Sequence, residues 1–238
     1  MNEYPEYDKI DYRGFSIKIN YDECPLDPRD PAYQDNFGKM FCMHSGYDLG
    51  DKHREKNLSE LIYNLLSGDH VTSEQIHDDY EDMSDREFVG KYYKVALRHY
   101  IMIPLYLLDH SGLRMSTGNF RGCDPGGWDS GQVGIIYVGK QVVKNEFSRK
   151  NWSKFLERKA INLLEGEVAE YDNYLSGAVF GWVVEGPDGE QVDDPCWGYY
   201  GDPDKEPVEE AKSQIDWLCH EMPYTISKQL FPLELAEV

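Results

Sequence analysis

Three apolar runs, joined by short and glycine-rich gaps, constrain the fold more than any other feature of the sequence. They read YIMIPLYLLDH (100–110), LRMS (113–116) and GQVGIIYVG (131–139). Gaps of this kind favour antiparallel neighbours, because parallel strands are usually connected by a helical crossover. The runs therefore predict strands of one largely buried antiparallel sheet.

The rest of the chain alternates helical patterns with a hairpin pattern. Apolar residues recur at helical spacing in LSELIYNLL (58–66). A second helix is predicted to begin after Ser84, because Glu87 three residues later completes a capping box. Helical periodicity also covers 150–175 and an acidic segment from Val208 to Met222, where Pro223 interrupts it.

A hairpin is predicted near the C-terminal end of the chain. AVFGWVVEG (178–186) and QVDDPCWGYY (191–200) flank the turn PDGE. Together these patterns predict an α+β fold, with a mostly antiparallel sheet and helices packed on it. We expect 99–138 and 177–200 to share one sheet, with 151–175 packed across it. One domain (1–238) is expected, with the proline-rich residues 1–50 wrapping its outside.

Acidic charge dominates the composition and is arranged in blocks. The chain has 24 Lys and Arg against 44 Asp and Glu, a formal net charge of −20. From Asp69 to Glu87 there are eight acidic residues and a single arginine, Arg86. From Glu185 to Glu210 there are ten acidic residues and a single lysine, Lys205. A basic stretch, 140–159, separates the blocks. A field of this sign repels nucleic acid and anionic membranes and attracts basic surfaces.

Cysteine usage and hydropathy indicate a reducing compartment. The five cysteines include no CxxC pair, which disfavours a disulfide scaffold and a structural zinc finger. No apolar stretch approaches the ~20 residues that cross a bilayer. The acidic first residues resemble no secretory signal. We expect a cytoplasmic protein, in the cytoplasm of a host cell, without membrane association or cofactor.

The loop in CDPGGWDSGQVGIIYVGK (123–140) raises the question of catalysis. A phosphate cradle needs its glycines before a helix, whereas these precede an apolar strand pattern. A nucleophile elbow needs GxSxG, and Ser130 lacks those glycines. Asp-Pro-Gly-Gly instead favours a turn, in which Asp129 or Ser130 bonds neighbouring amides. We therefore predict a turn-rich connection, without bound phosphate or metal, that delivers 132–138 to a central strand.

Metal binding remains open as an alternative, with ligands drawn from two regions of the chain. The Cys42 and His44 side chains share a face if they lie on a strand. No established metal motif is present. The candidate ligands are Cys42, His44, His53, Asp124 and Asp129.

Four segments resemble a group of hypothetical proteins from bacteriophages and mobile elements. They are DNFGKMFCMHSGYDLGDKH (35–53), IPLYLLDHSGLRMST (103–117), GGWDSGQVGIIYV (126–138) and GEVAEYDNYLSGAVFGWVVE (166–185). No activity is established for that group, so the resemblance carries over no site. It implies an accessory protein of phage or plasmid origin. By analogy at the level of protein class, small acidic phage proteins often resemble anti-restriction or anti-CRISPR inhibitors, some of which imitate DNA.

The main hypothesis is therefore a counter-defence inhibitor that binds a basic nucleic-acid-handling protein, possibly as a DNA mimic, without binding nucleic acid itself. Tyrosines among the acids, such as Tyr80, Tyr171, Tyr199 and Tyr200, are candidate apolar anchors. A metal-dependent hydrolase acting on a nucleotide or phosphoester, and a structural phage protein, are the alternatives. The predicted partner-binding acids are Asp78, Asp79, Glu81, Asp82, Asp85, Asp193, Asp194, Asp202, Asp204, Glu206, Glu209 and Glu210.

Overall fold

The computed structural model of the chain describes residues 5–32, 36–67 and 73–221. The elements in chain order are β1 (Glu6–Tyr12), β2 (Phe15–Tyr21), β3 (Lys39–Cys42), α1 (Leu58–Leu66), α2 (Ser73–Asp82), α3 (Asp85–His99), β4 (Tyr100–Asp109), β5 (Leu113–Ser116), β6 (Ser130–Gly139), α4 (Lys140–Glu146), α5 (Lys154–Ser176), β7 (Val179–Glu185), β8 (Cys196–Tyr200) and α6 (Glu206–Glu221). The α+β prediction is confirmed, since these ranges contain six helices and two antiparallel sheets. Met222 and Pro223 lie outside the described residues.

The chain divides into two compact units. Unit 2 is continuous in sequence, Pro28–Asp172, whereas unit 1 combines Met1–Asp27 with Asn173–Val238. Each unit contains one four-stranded sheet. The order is β1-β2-β7-β8 in unit 1 and β3-β6-β4-β5 in unit 2.

The prediction of a single sheet is wrong, because 99–138 and 177–200 lie in different sheets. The partner of β7 is β2, with Ile17 opposite Val184 and Ile19 opposite Trp182. Every residue from Val179 to Val184 is buried. Hydropathy revealed this burial but not the pairing, which joins strands more than 150 residues apart in sequence.

Unit 1 has its core between its sheet and α6, which lies across β2 and β7. The fully buried strand residues Phe15, Ile17 and Ile19 meet Ala211 and Ile215 of this helix. The segment 1–50, predicted to wrap the outside, thus supplies strands β1 and β2 here and β3 in unit 2.

In unit 2, helices α1, α2 and α3 contact one another and contribute to one core with the sheet. The predicted capping box is confirmed: Ser84 caps α3, and the Glu87 side chain returns to the Ser84 backbone. Helix α2 was not predicted. It forms because Ile76 is fully buried and Tyr80, one turn later, stacks on Tyr63. Helix α4 and strand β1 were also not foreseen.

A buried arginine organises the loop before β3. Arg29 is 2% exposed. Its Nη1 donates to Glu167 Oε2 at 3.0 Å, and its Nη2 donates to Asp51 Oδ2 at 2.6 Å. Nη2 also donates to the carbonyl of Gly38 at 2.8 Å. Glu167 in turn accepts from the backbone of Phe37 at 2.6 Å. We call Arg29, Asp51 and Glu167 the arginine clamp, which holds residues 37–38 against α5.

None of the helices in the described ranges is both long enough and apolar enough to cross a membrane.

Candidate acidic interaction surfaces

Helix α2 presents a row of carboxylates opposite its buried face. Ile76 and Tyr80 point into the core of unit 2, so the other side of the helix faces solvent. The exposed acids occupy positions i, i+4, i+7 and i+8, which fall on one helical face. We call them the α2 acidic row: Glu74, Asp78, Glu81 and Asp82.

The α2 acidic row is not neutralised by lysine or arginine within the described chain. His77 Nε2 lies 3.4 Å from Glu81 Oε1 at an exposed position. Asp69, at the start of this block, lies outside the described residues. The row therefore carries net negative charge to the surface.

Two predicted acids of the same block accept hydrogen bonds from other side chains of unit 2. Asp79 accepts from the Lys91 ammonium and from the Tyr92 hydroxyl, the latter at 2.5 Å. These contacts, that from Lys91 foremost, lower the pKa of the Asp79 carboxyl. Asp85 accepts from the Ser59 hydroxyl and from Asn57 Nδ2. Both acids connect helices; the Asp79 side chain is 19% exposed, whereas Asp85 remains exposed.

The second acidic block lies in unit 1, around β8 and the start of α6. As in α2, some of its acids bind side chains of the same unit and others do not. Asp193 accepts from Gln214, Asp202 pairs with Lys205 at 2.7 Å, and Glu210 accepts from the Tyr199 hydroxyl. The remaining predicted acids are exposed and make no ion pair with lysine or arginine in the described chain. We call them the unit 1 acids: Asp194, Asp204, Glu206 and Glu209.

The aromatic side chains beside these acids differ from those predicted. Tyr171 is 2% exposed and Tyr80 is stacked in the core. The hydroxyls of Tyr199 and Tyr200 bond to Glu210 and to the Leu26 carbonyl. These four tyrosines are therefore engaged within the chain.

Tyr7 and Tyr21 were missed. They are 43% and 39% exposed and both contact the Phe180 ring. The pKa of the Tyr7 hydroxyl is raised mainly by the charge of Asp204, which places this aromatic pair beside the unit 1 acids. The alternation in the acidic stretch EYDKIDY (6–12), typical of an edge strand, was the available sequence signal.

The loop 123–131 is a series of turns that leads into β6, the strand between β3 and β4. The predicted connection to a central strand is confirmed, but Asp124 is its main acceptor in place of Asp129. Asp124 accepts from the Ser130 hydroxyl at 2.7 Å and from the amides of Trp128 and Asp129. These bonds, that from Ser130 foremost, lower the pKa of the Asp124 carboxyl.

We expect Asp124→Ala to lower the midpoint of thermal unfolding at pH 7, because three donors lose their acceptor. The folded-state pKa lies below the unfolded value of about 3.9, so this stabilisation is present above that pH and is lost as the pH falls through the folded pKa. The difference between variant and wild type should shrink accordingly below about pH 4.

Asp129→Ala is the matched control for this loop. Among the described residues, the Asp129 carboxylate pairs with exposed His110 alone, at 2.9 Å. Exposed pairs contribute little, so this variant should unfold close to the wild-type temperature. Equal losses for the two variants at pH 7 would contradict the assignment of Asp124 as the acceptor that holds the loop.

The five candidate metal ligands are not assembled into a site. His44 and Asp129 line one hollow of about 510 Å³, while His44, His53 and Cys42 line another. Burial raises the pKa of the Cys42 thiol to about 12, which disfavours the thiolate that binds metals. The Asp124 carboxylate already accepts hydrogen bonds from Trp128, Asp129 and Ser130 of its own loop. In residues 5–32, 36–67 and 73–221, no three His, Cys, Asp or Glu side chains form a group that could hold a metal ion.

Both ring nitrogens of His53 face backbone carbonyls. Nε2 lies 2.8 Å from Cys42 O, and Nδ1 lies 3.0 Å from Glu55 O. His44 Nδ1 accepts from the Gly46 amide at 3.1 Å. These contacts hold the segment that follows β3. They also engage both ring nitrogens of His53 and Nδ1 of His44, which are atoms that a metal ion would bind.

Comparisons of the chain with protein-family models, with curated proteins and with solved structures gave no match. Its function has to be inferred from its own residues.

Proposed function

We propose that the protein is a counter-defence inhibitor that binds a basic nucleic-acid-handling protein through the α2 acidic row. The observation that carries this proposal is the row itself, four exposed carboxylates on one helical face that form no ion pair with a lysine or arginine of the described residues. The field of a chain with net charge −20 adds long-range attraction toward a basic surface.

The spacing of the row is compatible with imitation of nucleic acid. An α-helix rises 1.5 Å per residue, so the segment from Glu74 to Asp82 spans about 12 Å. Along the axis its four charges are about 6, 4.5 and 1.5 Å apart, a mean of about 4 Å, which is comparable with the 3.4 Å between phosphates along one DNA strand. A groove that binds phosphates with lysine and arginine would accept such a row.

The counter-defence role draws on the resemblance of four segments of the chain to proteins of bacteriophages and mobile elements. The unit 1 acids, with Tyr7 and Tyr21, belong to the other unit. They provide a comparison for the α2 acidic row, because the same number of exposed acids can be reversed in either place.

Binding should depend on the α2 acidic row. The full chain is used as bait in a host lysate, and the captured protein is identified and purified. Reversal of the four acids of the row to lysine is expected to weaken its affinity about a hundred-fold, since each exposed pair contributes roughly 0.5–1 kcal/mol. Affinity of the wild type should fall steeply with added salt, because surface charges are screened within about 8 Å at physiological ionic strength.

Reversal of the four unit 1 acids is the matched control, since it changes the net charge by the same amount. It should weaken binding far less than reversal of the α2 acidic row. Duplex DNA should compete with the protein for the captured partner, while the protein alone should bind no DNA. Unchanged affinity after reversal of the row, or capture of a partner that DNA does not displace, would refute the proposal.

A further inference from the structure

A cleft of about 910 Å³ opens in unit 2, where β3 and the end of β6 meet the start of β4 and α4. Five basic side chains line it: Lys39, Arg98, His99, Lys140 and Lys144. Of the described residues that line this cleft, none is acidic. In a chain with almost twice as many acids as lysines and arginines, this local excess of positive charge is unexpected.

The charge of the cleft is not neutralised from within. Lys39, Arg98 and Lys144 make no ion pair with any carboxylate of the described ranges, where pairs are formed by other basic residues. Lys140 donates to the carbonyl of Leu97 at 2.8 Å, which leaves its charge uncompensated. Like charges gathered in one cleft repel one another, and an anion bound among them would remove that cost.

Aromatic side chains form the other part of the wall. Trp152, Tyr137 and Phe37 line the cleft, and Lys140 Nζ lies 5.2 Å from the Trp152 ring centroid. Aromatic rings in such a position can stack a flat base. The amides of Asn36 and Gln141, also in the lining, can donate and accept hydrogen bonds.

The walls are held in place before any ligand arrives. Phe37 and Lys39 flank Gly38, which the arginine clamp fixes through its amide and its carbonyl. On the opposite side, the Tyr100 hydroxyl donates to the Leu65 carbonyl at 3.1 Å. Preformed walls reduce the ordering cost of binding.

We propose that this cleft binds a nucleoside polyphosphate, with its phosphates among Lys39, Arg98 and Lys144 and its base against the aromatic wall. The volume falls within the range of about 300–1,000 Å³ that is typical of small-molecule sites. A long nucleic acid is disfavoured because a chain with net charge −20 repels a polyanion that extends beyond the cleft.

Calorimetric titration of the full chain with ADP, GDP, CDP and UDP tests the proposal. At least one of these should bind, and more tightly than the matching nucleoside or pyrophosphate alone. In the double variant Arg98→Gln/Lys144→Gln, affinity for that nucleotide should fall about ten-fold or more, because two charge-assisted contacts are lost.

The matched control is Arg86→Gln/Lys94→Gln, which removes one arginine and one lysine from exposed positions of α3 outside the cleft. It should bind the nucleotide as the wild type does. Thermal unfolding of both double variants establishes that each is folded.

The proposal is overturned if none of the four nucleotides binds, or if both double variants lose affinity equally. If pyrophosphate bound as tightly as the best nucleotide, a contribution of the base to binding would be ruled out. If a single-stranded oligonucleotide bound more tightly than the nucleotides, the ligand would be a nucleic acid. Reversal of the α2 acidic row should leave nucleotide affinity unchanged. Failure of either proposal is therefore distinguishable from failure of the other.

Discussion

Replacement of Arg29 by methionine is expected to destabilise the protein by about 3–5 kcal/mol, the usual cost of removing one partner from a buried ion pair. Asp51 and Glu167 would remain 18% and 17% exposed without the cation that compensates them. The carbonyl of Gly38 would also lose a donor. Denaturant unfolding followed by circular dichroism measures the loss.

Arg114→Met is the control for this experiment, because Arg114 also contacts α5 but is 57% exposed. Its guanidinium binds Asp172 through Nε at 2.9 Å and Nη2 at 2.8 Å. Asp172 is 14% exposed, but the guanidinium of Arg114 is open to solvent, so its loss should cost less than the loss of the buried Arg29. If Arg29→Met cost no more than Arg114→Met, burial of the arginine clamp would not be the source of its stability.

Replacement of Gly134 by alanine should cost about 3 kcal/mol, at the upper end of the usual range for overpacked sites. A Cβ at this position of β6 would lie 2.0 Å from the carbonyl oxygen of Phe41 and 2.9 Å from Cys42 Cα. Both neighbours are backbone atoms of β3, so no side-chain rotation relieves the clash. Strand β3 would have to move away from β6.

Gly131→Ala tests the same substitution in the same strand without the clash. A Cβ at Gly131 would meet no atom within 4 Å. Its unfolding midpoint in denaturant should match that of the wild type, whereas Gly134→Ala should unfold at a clearly lower concentration. Similar midpoints for the two variants would contradict close approach of β3 as the reason for glycine at position 134.

Local patterns in the sequence predicted individual elements well, because local chemistry determines them. Ser84 and Glu87 fixed the start of α3, and the apolar runs located β4 and β6. Pairing between distant strands was not predictable in this way. The residues that pair β2 with β7 are separated by more of the chain than unit 2 contains.

The candidate surfaces were predicted at the level of blocks and not of residues. Asp78 and Asp79 are adjacent and chemically identical, yet one is exposed while the other binds Lys91 and Tyr92. Only the helix orientation, set by burial of Ile76, separates them. The cleft combines residues from five elements, β3, α3, β4, β6 and α4, so the sequence revealed just the stretch 140–159 that contributes Lys140 and Lys144.

The order of segments along the chain has a consequence for biosynthesis. Strands β1 and β2 are synthesised before unit 2, whereas their partner β7 follows only after it. At a synthesis rate of about 5–20 residues per second, roughly 10 to 30 s pass between synthesis of β2 and synthesis of β7. During that time the apolar face of Phe15, Ile17 and Ile19 is not yet packed in the core of unit 1. Unit 2 is contiguous and can complete its sheet during that interval. We expect chaperone binding to the nascent hairpin of β1 and β2 during this interval, because its apolar face is exposed until β7 and α6 are made.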